Sequence, residues 1–405
     1  MLLTEPPTSE STTFRRPAIA AFAALFAYAA VLTMPQASVN QVQREFHLND
    51  STQGILFSMI MVGFLGGAVF GGRLSDRYGK LPITGLGCLM MSAAMFVFSQ
   101  ARGFGMLPFA AALAGIGGGL AEVVSMALVS DIYTGPARTR MMNWAQTAFC
   151  AGAVAQPLAF ARFWSVGANW RTGYLAAAIL CLACALMVAC AAGGTGKRTT
   201  PRRELDLNWH TIIRNGFVLR LSIGLLLYVG AELGLANWVA AYMARDLGSL
   251  DSQASSSVAL FWIGIGVGRI AATGLCGRCS DSSLIRWSLG LGAALMAALL
   301  LSRSSSVAQP VIFCVGVSLG PAWPTIVSRA GSAFPNQSGS VIGIVAAFGC
   351  VGGAIVPKLV GRVSDATNLR SALWICVSAL VIGLIVVNIG GKKRPACPAE
   401  GVKGR

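Results

Sequence analysis

Apolar residues run through this 405-residue chain in long blocks, and the short breaks between them carry most of the charge. A helix needs about 20 residues to cross a hydrocarbon core. Twelve blocks of that kind occur, at 17–37, 54–72, 81–100, 105–130, 143–163, 171–192, 218–244, 255–276, 285–303, 308–330, 339–360 and 370–390. The pattern predicts an all-α membrane protein with twelve transmembrane helices. Glycine spacing supports it, because Gly67/Gly71, Gly264/Gly268 and Gly349/Gly353 each place two small residues on one helix face, where backbones can approach closely. The first block follows Arg15 and Arg16, yet no small-residue cleavage site comes after it, so it reads as a span rather than a signal peptide.

Composition narrows the class further. With 55% hydrophobic and 11% charged residues, and a mean hydropathy of +0.67, the chain cannot cover a soluble globule with polar surface. Of the 11 cysteines, Cys88, Cys150, Cys181, Cys184, Cys190, Cys314, Cys350 and Cys376 fall in apolar spans, where a thiol behaves as a small hydrophobe. No disulfide framework is expected. Cys276 and Cys279 have metal-ligand spacing, but no second pair accompanies them and His47 and His210 are the only histidines. No metal, no cofactor and no enzymatic constellation is expected.

Charge sets the orientation. The N-terminus, the even-numbered loops and the C-terminus hold 21 of the 31 Lys and Arg, and such an excess marks cytoplasmic segments. Both termini are therefore expected on the cytoplasmic side of the cell (inner) membrane. The +16 net charge is accounted for by the same bias, so no nucleic-acid partner is implied. Two internal matches indicate duplication. Gly72–Asp76 (GRLSD) corresponds to Gly277–Asp281 (GRCSD) at an offset of 205, and Gly152, Pro157 and Arg162 correspond to Gly353, Pro357 and Arg362 at about 200. The expected organisation is a tail at 1–16, a six-helix bundle at 17–192, a polar linker at 193–216, a second six-helix bundle at 217–390 and a tail at 391–405. The two bundles are pseudo-symmetric, and the protein is expected to be a monomer in the bilayer.

The stretch Gly72-Arg73-Leu74-Ser75-Asp76-Arg77-Tyr78-Gly79-Lys80 resembles the signature between the second and third helices of the major facilitator superfamily. The resemblance implies a transporter with a cytoplasmic gate. In that gate Gly72 and Gly79 permit the turn, Asp76 faces a helix end of the other half, Arg77 pairs with Asp131, and Asp281 takes the equivalent place in the repeat. Gly361–Asp365 has similar letters but falls on the extracytoplasmic side, and is not expected to form a second latch. Within the superfamily, Leu227–Glu232 with Asn237, Trp238 and Tyr242 is similar to the seventh helix of the fucose permease (fucose-galactose-glucose:proton symporter) family. Gly115–Gly119 with Glu122, Phe261-Trp262 with Gly268-Arg269, and Gly320-Pro321 with Pro324-Thr325 resemble its fourth, eighth and tenth helices. That likeness implies a sugar or sugar-like solute moved by alternating access with a proton, or alternatively a sodium ion. It also implies a first-helix aspartate, where this chain has Gln36.

Among the acidic residues only Glu122 and Glu232 lie well inside spans. A bare charge there costs roughly 2.5–3.5 kcal/mol or more, so such groups face a cavity or a partner. Both are read as proton-coupling or substrate carboxylates, and Arg269, also within a span, is the available charge partner. A sugar site needs amides and aromatic faces. Gln36, Asn40, Asn143 and Gln146 of the first half supply the former, and Tyr228, Asn237, Trp238, Trp262 and Trp323 of the second complete the set. Tyr228 and Glu232 share a helix face at i, i+4 spacing. A drug or metabolite:proton antiporter of the same superfamily is the rival. Against it, Gln156 precedes Pro157 in the fifth span, no glycine pair follows, and residues 110–114 of the fourth lack a basic residue. A non-transporting sensor is the alternative of another class, and it would need a soluble domain of some size.

Overall fold

The structure is a computed structural model that describes residues 10–133, 135–167, 169–192, 214–275, 279–334 and 338–388, with the backbone alone at a few helical positions, Asn143 among them. The long spans are α1 (Glu10–Ala37), α3 (Asp50–Tyr78), α4 (Lys80–Gln100), α5 (Leu107–Ile132), α6 (Gly135–Ser165) and α7 (Trp170–Ala192) in the first half. The second half holds α8 (Gly216–Arg245), α9 (Asp251–Leu275), α10 (Asp281–Leu301), α11 (Ser305–Leu319) with α12 (Ala322–Ser332), α13 (Ser338–Ala366) and α14 (Leu369–Asn388). A short helix α2 (Val39–Phe46) lies between the first two spans. Among the described residues, eleven spans are long and apolar enough to cross a membrane. The twelfth is α6, 31 residues long, whose hydropathy Arg138, Arg140, Gln146 and Gln156 depress.

Two differences from the sequence pattern have clear causes. The tenth span is not one helix, because Gly320 and Pro321 separate α11 from α12, and proline cannot supply the N–H that would continue the ladder. The segment after the first span is also not a plain loop. Its residues Val39, Asn40, Val42 and Gln43 are buried, so α2 lies along the end of the bundle. The linker expected at 193–216 lies outside the described residues up to 213.

Duplication is written in the glycines. Gly63 and Gly67 of α3 lie against the backbone of Ala112 and Ile116, while Gly115 and Gly119 of α5 lie against Ile60 and Phe64. In the second half, Gly264 and Gly268 of α9 lie against Phe313 and Val317, while Gly316 and Gly320 lie against Phe261 and Ile265. Every one of these positions is matched at a separation of 201 residues (63 to 264, 119 to 320). The second and fourth spans of each half are thus held backbone to backbone at equivalent points. A Cβ at Gly67 would enter the carbonyl of Ile116, whereas one at neighbouring Gly66 would meet nothing. Gly67→Val is therefore expected to destabilise by about 1–3 kcal/mol or more, with Gly66→Val near neutral. Thermal melts of the purified protein in detergent measure both, and equal melting temperatures for the two variants would contradict this packing.

Candidate functional site

Three levels of the bundle matter: a closed face, a charged centre and the face carrying Gly72–Lys80, called here the motif face. At the closed face the halves are tied by polar contacts. Arg44 of α2 pairs with Asp251 at 2.7 Å, and Arg245 of α8 pairs with Asp50 of α3 at 2.7 Å. Asp50 also accepts from Gln43 at 2.8 Å and from Ser364 at 2.6 Å. Asp365 of α13 accepts from the backbone N–H of Asp50 at 2.8 Å and of Ser51 at 2.9 Å. Those are free amides of a helix N-terminus, where a carboxylate is favoured by geometry and by the helix dipole. Gly361 makes the approach possible, since a Cβ there would strike the carbonyl of Asp50.

The Gly361–Asp365 segment, not expected to act as a latch, is thus a clasp between the halves on the face away from Gly72–Lys80. Here a glycine allows the approach and an aspartate meets the opposite half's helix end. Beside this clasp, Glu45 receives Trp170 Nε1 at 2.5 Å and Arg171 at 2.5 Å. Burial pushes the Glu45 carboxyl up, but the Trp170 hydrogen bond and the Arg171 guanidinium outweigh it and hold it below its usual range. The tether is therefore intact at neutral pH and is lost only as the pH falls through that lowered value.

Beneath the clasp several expected ligands are occupied by the protein itself. Trp238 donates to the Pro357 carbonyl at 2.9 Å and sets its ring edge-on to Phe57 at 5.4 Å. Asn40 donates to the Ala240 carbonyl at 3.2 Å. Both join the halves rather than line the centre. Asn237 is buried on α8, and Trp323 is partly buried on α12, packed against the core. The side chain of Asn143 is outside the described residues.

The centre draws on six spans. Arg269 of α9 lies within electrostatic reach of Cys150 of α6, Glu232 and Tyr228 of α8, and Glu122 of α5. Tyr28 of α1 lies within reach of Glu122 and of Cys350 on α13. No ion pair closes this group, because Arg269 has no carboxylate within 4 Å among the described residues. Its Nη1 reaches Gln146 Oε1 at 3.4 Å and Cys150 Sγ at 3.9 Å. Above it, Trp262 donates across the halves to Gln36 Oε1 at 3.0 Å, and Gln36 Nε2 has no partner. An aromatic run joins these groups. Tyr28 stacks on Phe64 at 5.5 Å and leans on Phe149 at 5.9 Å, and Phe149 meets Trp262 edge-on at 6.1 Å. Gly118 provides the room, since a Cβ there would enter the Tyr28 ring.

Tyr28, Phe149, Cys150 and Cys350 were not among the residues expected at the site. A signal for three of them exists in the repeat, because Tyr28/Tyr228 and Cys150/Cys350 are each separated by 200 residues.

At the motif face the charged groups among the described residues pair within their own half. Gly79 ends α3 at φ 94°, a conformation that favours glycine, and its N–H caps Ser75 O at 2.9 Å. The expected Arg77–Asp131 pair is replaced by Lys80–Asp131. Lys80 starts α4, next to the end of α5, while the Arg77 guanidinium lies over the Tyr78 ring at 5.3 Å. Asp76, Asp131 and Asp281 are exposed, and Gly72 is partly so. Among the described residues, the ion pairs joining the halves lie at the opposite face. Cys276 lies outside the described residues, and no group of three metal-ligating side chains occurs among those described.

The model of the Major Facilitator Superfamily matches residues 18–357. The chain belongs to this superfamily. As a facilitator it is a multi-pass membrane transporter and not an enzyme. Among its relatives, the cis,cis-muconate transport protein of Acinetobacter baylyi is 25% identical over 94% of this chain and 95% of its own length. The multidrug resistance protein MdtL of Shewanella oneidensis is 21% identical over 91% and 89%. The glucose/mannose transporter GlcP of Bacillus subtilis is 22% identical over 80% and 82%. A solved bacterial homologue of the human lysosomal transporter Spinster, inward-facing and occupied, superposes with a TM-score of 0.76 at 16% identity, covering 97% of this chain and all of that one.

Proposed function

We propose that this facilitator is a proton-coupled symporter of a small, hydroxyl-rich polar solute, a sugar or sugar-like molecule, working by alternating access. The observation that carries the proposal is the central group itself. It sets two carboxylates, Glu122 and Glu232, within electrostatic reach of the Arg269 guanidinium, and along the same interface an unpartnered amide of Gln36 beside Trp262 and Phe149. Amide and ring suit a polyhydroxylated solute, and a membrane-buried carboxylate is the group that can carry a proton. The glucose/mannose relative and the fucose-permease-like motifs support the solute class. Positive charge on the even loops supports a cytoplasmic position for the motif face, with the clasped face outward. A monomer is sufficient, because the site lies between the two halves of one chain.

The test is uptake into proteoliposomes of a labelled panel of hexoses, deoxyhexoses and organic acids, under imposed proton or sodium gradients. Accumulation on a proton gradient, collapsing with a protonophore, is expected. Accumulation on a sodium gradient alone would overturn proton coupling, and export of lipophilic cations with no uptake of the panel would favour the antiporter.

A further inference from the structure

Arg269 is the charged central group whose hydrogen bonding is unfinished. A guanidinium presents five N–H donors in a planar fork suited to a carboxylate held by two hydrogen bonds. Here Nε has no partner. The contacts of Nη1, 3.4 Å to Gln146 and 3.9 Å to Cys150, are at or beyond the long end of the range. A cation this deep in a span is costly unless it serves a site, and the two glutamates balance it from beyond 4 Å rather than filling its fork. Gln36 Nε2 and the Trp262 ring lie on the same interface between the halves.

We infer that the transported solute carries a carboxylate, that Arg269 is its receptor, and that the substrate class is a polyhydroxylated monocarboxylate, a sugar acid. This rests on the transporter proposed above and narrows its substrate. Charge balance supports it. With both glutamates ionised, Glu122, Glu232 and Arg269 sum to one negative charge. An arriving carboxylate adds a second, and one proton taken up from the outer water by one of the two glutamates restores the original sum. Loaded and empty sites then cross with equal charge, and one proton accompanies each carboxylate without moving net charge. A neutral hexose carried with the same proton would move one positive charge.

Labelled gluconate, glucuronate and glucose, offered separately to proteoliposomes of the full chain under a pH gradient with and without a potassium diffusion potential, test this. Expected is accumulation of a sugar acid that the potential does not alter, and at least tenfold weaker competition by glucose. Arg269→Lys keeps the charge but loses the planar fork, and is expected to raise KM for the acid at least tenfold with maximal rate less affected. If Arg269→Lys fails to fold, the wild-type competition and potential dependence still decide. Accumulation of glucose with no transport or competition by either acid would overturn the carboxylate and leave the symporter standing. Accumulation of neither class would overturn the symporter as well. Acid uptake with unchanged KM in Arg269→Lys would remove Arg269 as the receptor.

Discussion

Glu122→Gln is expected to abolish accumulation driven by a pH gradient while leaving counterflow exchange of substrate in place. Glutamine keeps the shape and hydrogen-bonding capacity of a protonated glutamate but cannot release a proton. Exchange needs the site and no net proton movement, so it survives, whereas the accumulation ratio falls to one. The competing account makes Glu122 a structural counter-charge for Arg269. Removing one partner of a buried ion pair typically costs roughly 3–5 kcal/mol, and then expression, thermal stability and every transport mode fall together. The geometry favours the coupling role, because Glu122 and Arg269 are not in direct contact and the loss breaks no short pair. A stable Glu122→Gln protein that still concentrates substrate on a proton gradient would contradict both accounts and transfer the role to Glu232.

Arg245→Gln is expected to open the clasped face. Arg245 holds Asp50 at 2.7 Å across the two halves, and Asp50 is almost fully buried. Leaving such a carboxylate without its cation costs about 2–5 kcal/mol, and the lower end applies because Arg245 is 38% exposed. The pair exists only when this face is shut, so the cost falls on the conformational equilibrium rather than on folding. About 2 kcal/mol corresponds to a shift of roughly 30-fold. A cysteine introduced at Ser255, buried at the interface where its hydroxyl bonds to the Ala37 carbonyl, reports the opening through its reaction with an impermeant maleimide. Labelling that rises by that factor is expected. Unchanged labelling with a lowered melting temperature would make Arg245 a folding residue only.

The membrane fold was legible because spans are long, apolar and repeated, and the repeat survives as glycine contacts between equivalent helices. The site was legible only in part. Glu122, Glu232 and Arg269 stand out because charge is scarce within spans, and both glutamates lie within electrostatic reach of Arg269. Trp238 and Asn40 spend their N–H groups on protein carbonyls, which sequence cannot tell from an amide or indole N–H aimed at solute. Tyr28 was missed because an aromatic in a first span looks like packing until Gly118 shows the space made for its ring. The clasp at Asp365 was missed for a different reason. Its meaning lies in the N-terminus of α3, more than three hundred residues away in the chain, and motif position alone pointed to the wrong face.

Alternating access requires the two faces to move in opposite senses, and pulsed electron spin resonance on two label pairs measures that directly. Arg102 and Arg303 are exposed on the loops of the clasped face, and Tyr78 and Arg286 are exposed at the motif face, each pair spanning the halves. In reconstituted protein the account predicts that the Arg102–Arg303 distance lengthens in the same population in which the Tyr78–Arg286 distance shortens, when Arg245→Gln or transported substrate shifts the equilibrium. Distances that lengthen together at both faces, or that stay fixed while substrate is being transported, would contradict it.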